Sequence, residues 1–452
     1  MSSKYVLFLT LLCLVVVGSS CKKYLSEKPN KSLNTPSTLA DLQLLLDNYG
    51  NMNASFPSSA EVLADNYYLA QPDWNSITNT SLRNYYIWQK DDQYSGEWGS
   101  AYRVVFTANV VLDELSRLDY APDQQATANA LRGAALFYRA FAFYALAQLF
   151  APPYDSTTAA ALPGIPLRLD AGIEKRSERA TVQQTWQQVL DDLKGAARLL
   201  PPTAAAPNRP SRTAAYAALA RTYLAMGQYS KALLYAEDAL QAYATLLDYN
   251  TLSLSAANPI ARFNAEVLFP AVSLGAQPLN PSRAKVDSTL YAAYHANDLR
   301  KAIFFRSSGA GTFAPKGNYD GSATGAVFTG LTTSELYLVK AETLARLGHT
   351  APAMDALNTL LVRRWKQGTF VPLTAATAPE ALDKILAERR KELVWRGQRW
   401  TDLRRLNKEP GRELTLVRRL GNDTYTLPPN SNGYTLLIPA TVIDLSGMPQ
   451  NP

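Results

Sequence analysis

Two stretches of this chain carry the same pattern, and that pattern limits the fold more than any other feature. In residues 213–244, Tyr216, Leu219, Ala220 and Tyr223 precede Gly227, and Tyr229, Ala232, Ala236, Ala239 and Leu240 follow it. In residues 335–364, Tyr337, Ala341 and Leu344 precede Gly348, and Ala353, Ala356, Leu357 and Leu361 follow. Steps of three and four residues place each set on one face of a helix. The small residues let two antiparallel helices approach closely, and the glycine between them permits the turn. This is tetratricopeptide-like spacing. It predicts a mostly α protein, with helical hairpins in an α-helical body. Because the two copies lie apart, a continuous solenoid is not expected. Residues 246–330 between them are rich in Gly, Asn, Pro and Ser and read as a loop-rich insertion.

The rest of the chain fits a helical body. With 452 residues, 47% of them hydrophobic, it exceeds one simple core and calls for two lobes or a helical array. A helix is predicted from Thr38, with Leu39, Leu42, Leu45 and Leu46 on one face. Residues 50–90 read as loops. A strong helix is expected over 98–118, its core side carrying Trp98, Tyr102, Val105, Phe106, Asn109 and Leu112. Another is expected over 124–150; its apolar end, Ala140 to Ala151, follows Arg139 and reads as a buried helix, not a membrane span. Pro152, Pro153, Pro163 and Pro166 then break the pattern. Thr181 is a candidate N-cap for a helix over 181–200, ahead of Val182, Trp186, Val189 and Leu193. Near the end, Tyr434 to Pro439 reads as short extended structure.

Composition excludes several chemistries. The formal charge is +7, from 45 basic and 38 acidic residues scattered along the chain. No basic stripe with interleaved aromatics offers a track for nucleic acid. The two cysteines, Cys13 and Cys21, lie near the amino terminus, and the two histidines, His295 and His349, lie far apart. A thiolate or histidine metal centre is therefore poorly supplied, and no metal or cofactor is expected. Gly309-Ala310-Gly311 lacks the lysine and the strand–helix context of a phosphate loop. The Asp91-Asp92 and Asn48–Asn53 clusters do not match a calcium loop.

The amino terminus reads as an address. Lys4, an apolar run from Tyr5 to Val17, and Gly18-Ser19-Ser20 ahead of Cys21 form a secretory signal over residues 1–20. A cysteine directly after small residues resembles a bacterial lipoprotein processing site. The expectation is a lipid attached at Cys21, a tether over 21–37 and a body over 38–452; the alternative is plain secretion with cleavage nearby. Several acyl chains would hold the protein stably on a membrane.

Further motifs follow in order: Arg132-Gly133-Ala134-Ala135-Leu136-Phe137-Tyr138-Arg139-Ala140; Arg179-Ala180-Thr181-Val182 leading to Asp191-Asp192-Leu193; Asn264-Ala265-Glu266-Val267-Leu268-Phe269; and Asp298-Leu299-Arg300-Lys301. The most specific block is Glu388-Arg389-Arg390-Lys391-Glu392-Leu393, continuing through Gly397, Arg399, Trp400, Asp402, Leu403 and Arg405. In this order the motifs resemble those of SusD/RagB-like outer-membrane nutrient-binding lipoproteins, across nearly the whole chain. The resemblance implies a SusD-like helical body with loop-rich insertions and short strands. It implies an outer-membrane lipoprotein, facing the cell surface, that partners a SusC-like TonB-dependent barrel. The implied ligand is an oligosaccharide or, in RagB-like members, a peptide. Lys22 and Lys23 stand where some relatives carry acidic residues, which bears on surface exposure.

Under this reading the protein binds and delivers a nutrient without chemistry. Its rivals are an extracytoplasmic glycoside hydrolase and a scaffold for protein partners only. Glu388 and Glu392 share a helix face, and paired carboxylates serve glycoside hydrolysis. The surrounding cations argue for a structural ion-pair network of Glu388, Glu392, Arg399 and Asp402, because cations lower the pKa a general acid needs raised. Ligand binding is then expected from loops that mix flat aromatics with amides and charges. The 25 tyrosines and seven tryptophans supply such groups. Residues 65–75 have that mix, as do Tyr319 and Asp320. The candidate ligand-binding residues are Tyr67, Tyr68, Trp74 and Tyr319, whereas Trp98 is assigned to the core.

Overall fold

A computed structural model describes residues 36–321 and 325–452. The signal segment, Cys21 and the tether as far as residue 35 lie outside the described residues. The body from Leu39 to Pro452 forms one compact unit.

Ten helices carry the body: α1 (Leu39–Leu46), α2 (Gly96–Leu115), α3 (Gln125–Phe150), α4 (Val182–Leu199), α5 (Arg212–Ala225), α6 (Tyr229–Ala242), α7 (Thr333–Arg346), α8 (Thr350–Leu361), α9 (Ala378–Glu392) and α10 (Arg399–Leu406). Their starts follow local chemistry. Thr181 and Gln184 close a reciprocal capping box on α4, and Ser211, Thr332 and Thr377 accept from backbone amides at the starts of α5, α7 and α9. Gly227 and Gly348 end α5 and α7 with φ of 70° and 86°, the left-handed turn that each hairpin requires.

The two hairpins, α5–α6 and α7–α8, do not stand apart. Helix α6 packs directly on α7, and successive neighbours from α2 to α8 pack side by side. The array is thus continuous in space although the sequence interrupts it. The 246–330 excursion leaves after α6 and returns at Leu331–Thr332, which pairs antiparallel with Val267–Phe269. That short pairing delivers α7 back beside α6, overturning the expectation of separate hairpins.

Helix α3 sits at the centre. It is long and apolar enough to cross a membrane by length and composition, yet 89% of its apolar window is buried inside the body. Phe137 and Phe141 pack edge-on against Phe269 from the excursion. Arg139 is buried on the same helix, and its guanidinium donates to both Asp192 oxygens on α4 at 2.7 Å and to Asn109 on α2 at 2.9 Å. One cation thereby ties three helices together.

Three local expectations change. Phe106 on α2 is 47% exposed and does not face the core. Residues 50–90 are not simple loops; they contain short helical turns at Ser59–Val62, Gln71–Asn75 and Thr80–Tyr86. The extended structure near the carboxyl end is a hairpin of Leu416–Leu420 with Asp423–Leu427, while Asn432–Tyr434 is a 3-10 turn. The alternating burial of Leu416, Arg418 and Leu420 explains the hairpin.

Candidate functional site

Most acidic and basic residues of the 388–405 block fall into two buried ion-pair groups and a third that is partly exposed. In the first, Arg300 donates to Asp298 at 2.7 and 2.9 Å, to Glu388 at 2.6 Å and to Glu392 at 3.2 Å. Arg364 bonds Glu392 from the other side and reaches Glu266 at 2.6 Å. Lys391 pairs with Glu388. In the second, Asp402 accepts from Arg389 and Arg405, and Arg405 also pairs with Glu342 at 2.5 and 2.8 Å. In the third, Arg399 clasps Asp65 at 2.6 and 2.9 Å.

Electrostatics follow this pairing. Burial alone would raise the Glu342 carboxyl, but Arg405 and Arg346 outweigh it and hold it at about 2. Asp65 is likewise held well below the usual carboxylate range: burial opposes this, and Arg399 and Arg390 prevail. The carboxyls pushed upward lie elsewhere. Burial drives Glu61 to about 7 against hydrogen bonds from Asn66 and Gly397, and it raises Glu97 against the Ser58 and Ser59 donors. Both residues are sealed inside the body. Glu388 and Glu392 share a face, as their spacing predicts, but that face closes on Arg300 and presents no acid–base pair to solvent.

Of the four predicted ligand-binding aromatics, the structure removes two from solvent. Tyr67 is 3% exposed, and its hydroxyl donates to the Val62 carbonyl. Tyr319 is 5% exposed, and its hydroxyl bonds Glu266 beneath the Arg396 guanidinium. Neither ring is open to a ligand. Strand alternation explains the first case: Tyr67–Tyr68 pairs with Lys285–Val286, so Tyr67 points inward and Tyr68 outward. For Tyr319, sequence alone could not show that a distant glutamate would draw its hydroxyl into the core.

Tyr68 and Trp74 remain half-exposed. Trp74 lies on the Gln71–Asn75 turn; its indole N–H donates to the Arg83 carbonyl at 3.1 Å, and the Arg83 guanidinium lies 5.2 Å from the ring centre. Two residues that the sequence reading missed fasten this segment. Gln277 accepts from the Asn79 amide at 3.0 Å, and Arg283 donates to the Ser76 hydroxyl at 2.9 Å. Behind it, the buried Arg418 donates to the Val62, Ala64 and Tyr86 carbonyls and lies 3.9 Å from the Tyr86 ring centre. Tyr68 and Trp74 are thus partly exposed rings within ten residues of exposed Gln71, Asn75 and Thr78, residue types suited to sugar faces and hydroxyls.

Comparisons with known proteins agree with this architecture. Residues 23–224 match the family described as "Starch-binding associating with outer membrane", and residues 293–436 match the SusD family. A SusD-like protein P2 of Formosa agariphila is 29% identical over 144 residues, which are 30% of this chain and 25% of that relative. The match thus spans about a quarter of the relative's length. A crystal structure titled as a putative sugar binding protein from Bacteroides vulgatus superposes with a TM-score of 0.75 at 23% identity, covering 93% of this chain and 99% of that one. A SusD superfamily protein from Bacteroides thetaiotaomicron gives 0.74 at 20% identity, over 92% and 100% of the two chains. A laminarin binding SusD-like protein gives 0.66 at 17% identity, over 91% and 98%. At these identities the structural likeness establishes the fold.

Proposed function

This chain belongs to the SusD/RagB-like family, and on that premise we propose that it binds an oligosaccharide at the outer membrane and passes it to a SusC-like TonB-dependent barrel. The observation that supports the reading is the pair of half-exposed rings, Tyr68 and Trp74, on a fold shared with a putative sugar binding protein and a laminarin binding SusD-like protein. Trp74 stacks on the apolar face of a sugar ring, and Tyr68, Gln71 and Asn75 meet its hydroxyls. Catalysis has no part in this reading, since arginines hold Asp65 and Glu342 low and the raised Glu61 and Glu97 are sealed inside the body. Acyl chains on Cys21 hold the protein to the outer membrane, facing the cell surface.

Two measurements test the reading. The full chain, tagged at its carboxyl end and extracted gently from membranes, should co-purify with a stoichiometric β-barrel. Extraction from the cytoplasm, or recovery alone under conditions that preserve other complexes, would sink the delivery role. Purified protein should bind neutral glycans on an array without releasing products, and Trp74→Ala should weaken that binding about tenfold, the upper end of the contribution of one stacked ring. Retention of peptides instead of glycans would move the protein to the RagB-like class; turnover of any glycan would make it an enzyme.

A further inference from the structure

A second candidate site adjoins the first ion-pair group at Asp298 and shares no lining residue with the Trp74 segment. The Ser288–Ala292 and Arg300–Phe304 turns and the loop at Trp365–Lys366 enclose an open cleft of about 630 Å³. That volume falls within the usual range of small-ligand sites. One wall is a stacked aromatic pair, Tyr291 on Phe313, with ring centres 3.5 Å apart and planes inclined by 13°. Both rings are half-exposed. The Lys301 ammonium lies 4.6 Å from the Tyr291 ring centre and donates to the Tyr294 carbonyl. Asn297, half-buried, and Lys366, exposed, also line the cleft.

The charge of the cleft is one-sided. Asp298 is the acidic residue in its lining, and Arg300 binds both oxygens of that carboxylate at a fully buried position. No ion pair engages Lys301 or Lys366 among the described residues. The cleft thus combines two cations without carboxylate partners, the side-chain amides of Asn250 and Asn297 and an aromatic wall. A neutral sugar would leave both cations unused; an acidic one would pair with them while its ring lay along the aromatic wall.

We infer that this cleft is a second glycan site, selective for acidic oligosaccharides bearing uronate or sulfate groups, with Lys366 and Lys301 receiving the anion. This rests on the reading that the protein binds oligosaccharides, and it adds a position and a charge class to that reading.

Calorimetric titration of the full chain tests it with oligogalacturonate, a sulfated oligosaccharide, a neutral malto-oligosaccharide of equal length, and polyglutamate of equal charge. The expected result is binding of at least one acidic oligosaccharide, weakened about tenfold by Lys366→Glu and strongly by high salt, because the partner is an exposed charge. Asn297→Asp, which places an anion in the cleft, should weaken it in the same direction. Neutral glycan binding at the Trp74 surface should be unchanged by Lys366→Glu. No acidic oligosaccharide bound, or acidic binding untouched by both cleft variants, overturns the inference. If Trp74→Ala alone removes acidic binding, the cleft is excluded while the Trp74 reading stands. Equal binding of polyglutamate, with the same dependence on Lys366, overturns the glycan assignment in favour of an acidic peptide.

Discussion

The cations inside the helical body and the cations of the Tyr291 cleft obey opposite rules. Arg300, Arg364 and Arg405 are buried and each binds at least two carboxylates. Lys301 and Lys366 face the cleft with none. A buried charge must be paired or, like Arg418, hydrogen-bonded because its desolvation is costly, whereas a partly solvated charge can remain available for a ligand. The difference separates residues that hold the fold from residues that can bind. Removing Arg300 tests it most severely. Arg300→Leu leaves Asp298, Glu388 and Glu392 crowded with Lys391 and Arg364 as their remaining cations. The expected cost is about 3–5 kcal/mol in urea unfolding. Lys366→Gln should shift the same curve by less than about 0.5 kcal/mol. Equal shifts would break the distinction.

Two buried glutamates sharpen the comparison through pH. Both have an ordinary value of 4.5. Glu342, between arginines on α7 and its neighbours, is held at about 2. Its contribution is complete above pH 4.5 and is lost as pH falls from there toward 2. Glu61, which has amide partners and no bonded cation, is pushed up to about 7. Its contribution has the opposite sign: it is complete below pH 4.5 and is lost as pH rises through 7. Each shift corresponds to about 3 kcal/mol. Urea unfolding of Glu61→Gln should lack the decline between about pH 4.5 and 7 seen in the parent, and Glu342→Gln should lack the decline below 4.5. Identical pH profiles for parent and variant would contradict the assigned environment.

Much of the body was legible because its signals are local. The steps of three and four around Gly227 and Gly348, the polar cap at Thr181 and the uniformly apolar run of α3 each act within one or two turns. The cap gives a measurable consequence: Thr181→Ala opens the capping box and should cost about 1 kcal/mol, with loss only at the first turn of α4 by hydrogen exchange. A uniform loss of protection across α3 and α4 would instead mean that Thr181 supports the packing of both helices. What escaped the sequence depended on distant partners. Tyr319 looked like a loop aromatic until Glu266 and Arg396 enclosed it. Gln277 and Arg283 carried no signal of their own, because their role is to fasten a segment some two hundred residues away in sequence. The Tyr291–Phe313 wall and Lys366 likewise meet only after the excursion folds back. The stacking of α6 on α7 was missed for the same reason.

That stacking supplies the smallest expected effect and the most exacting control. Two ion pairs join the hairpins. Arg221 on α5 clasps Glu335 on α7 at 2.5 and 2.8 Å in the interior, and also donates to the Thr329 carbonyl at 2.9 Å. Lys340 on α7 reaches Glu237 on α6 at 3.1 Å, with side chains 32% and 47% exposed. By distance alone the two pairs are similar. Water decides otherwise: the exposed pair is screened and must order two long side chains, so its net worth is about 0–1 kcal/mol. Lys340→Ala with Glu237→Ala in a double-mutant cycle should therefore give a coupling near zero at physiological salt. The cycle at Arg221 and Glu335 should give several kcal/mol, because each single change leaves a buried charge unpaired. A large coupling at the exposed pair would mean that the α6–α7 seam is held by surface charge, and apolar packing such as that of Leu233 on α6 against the cluster holding Leu338 and Ala341 would no longer suffice to explain why hairpins so far apart in sequence stack.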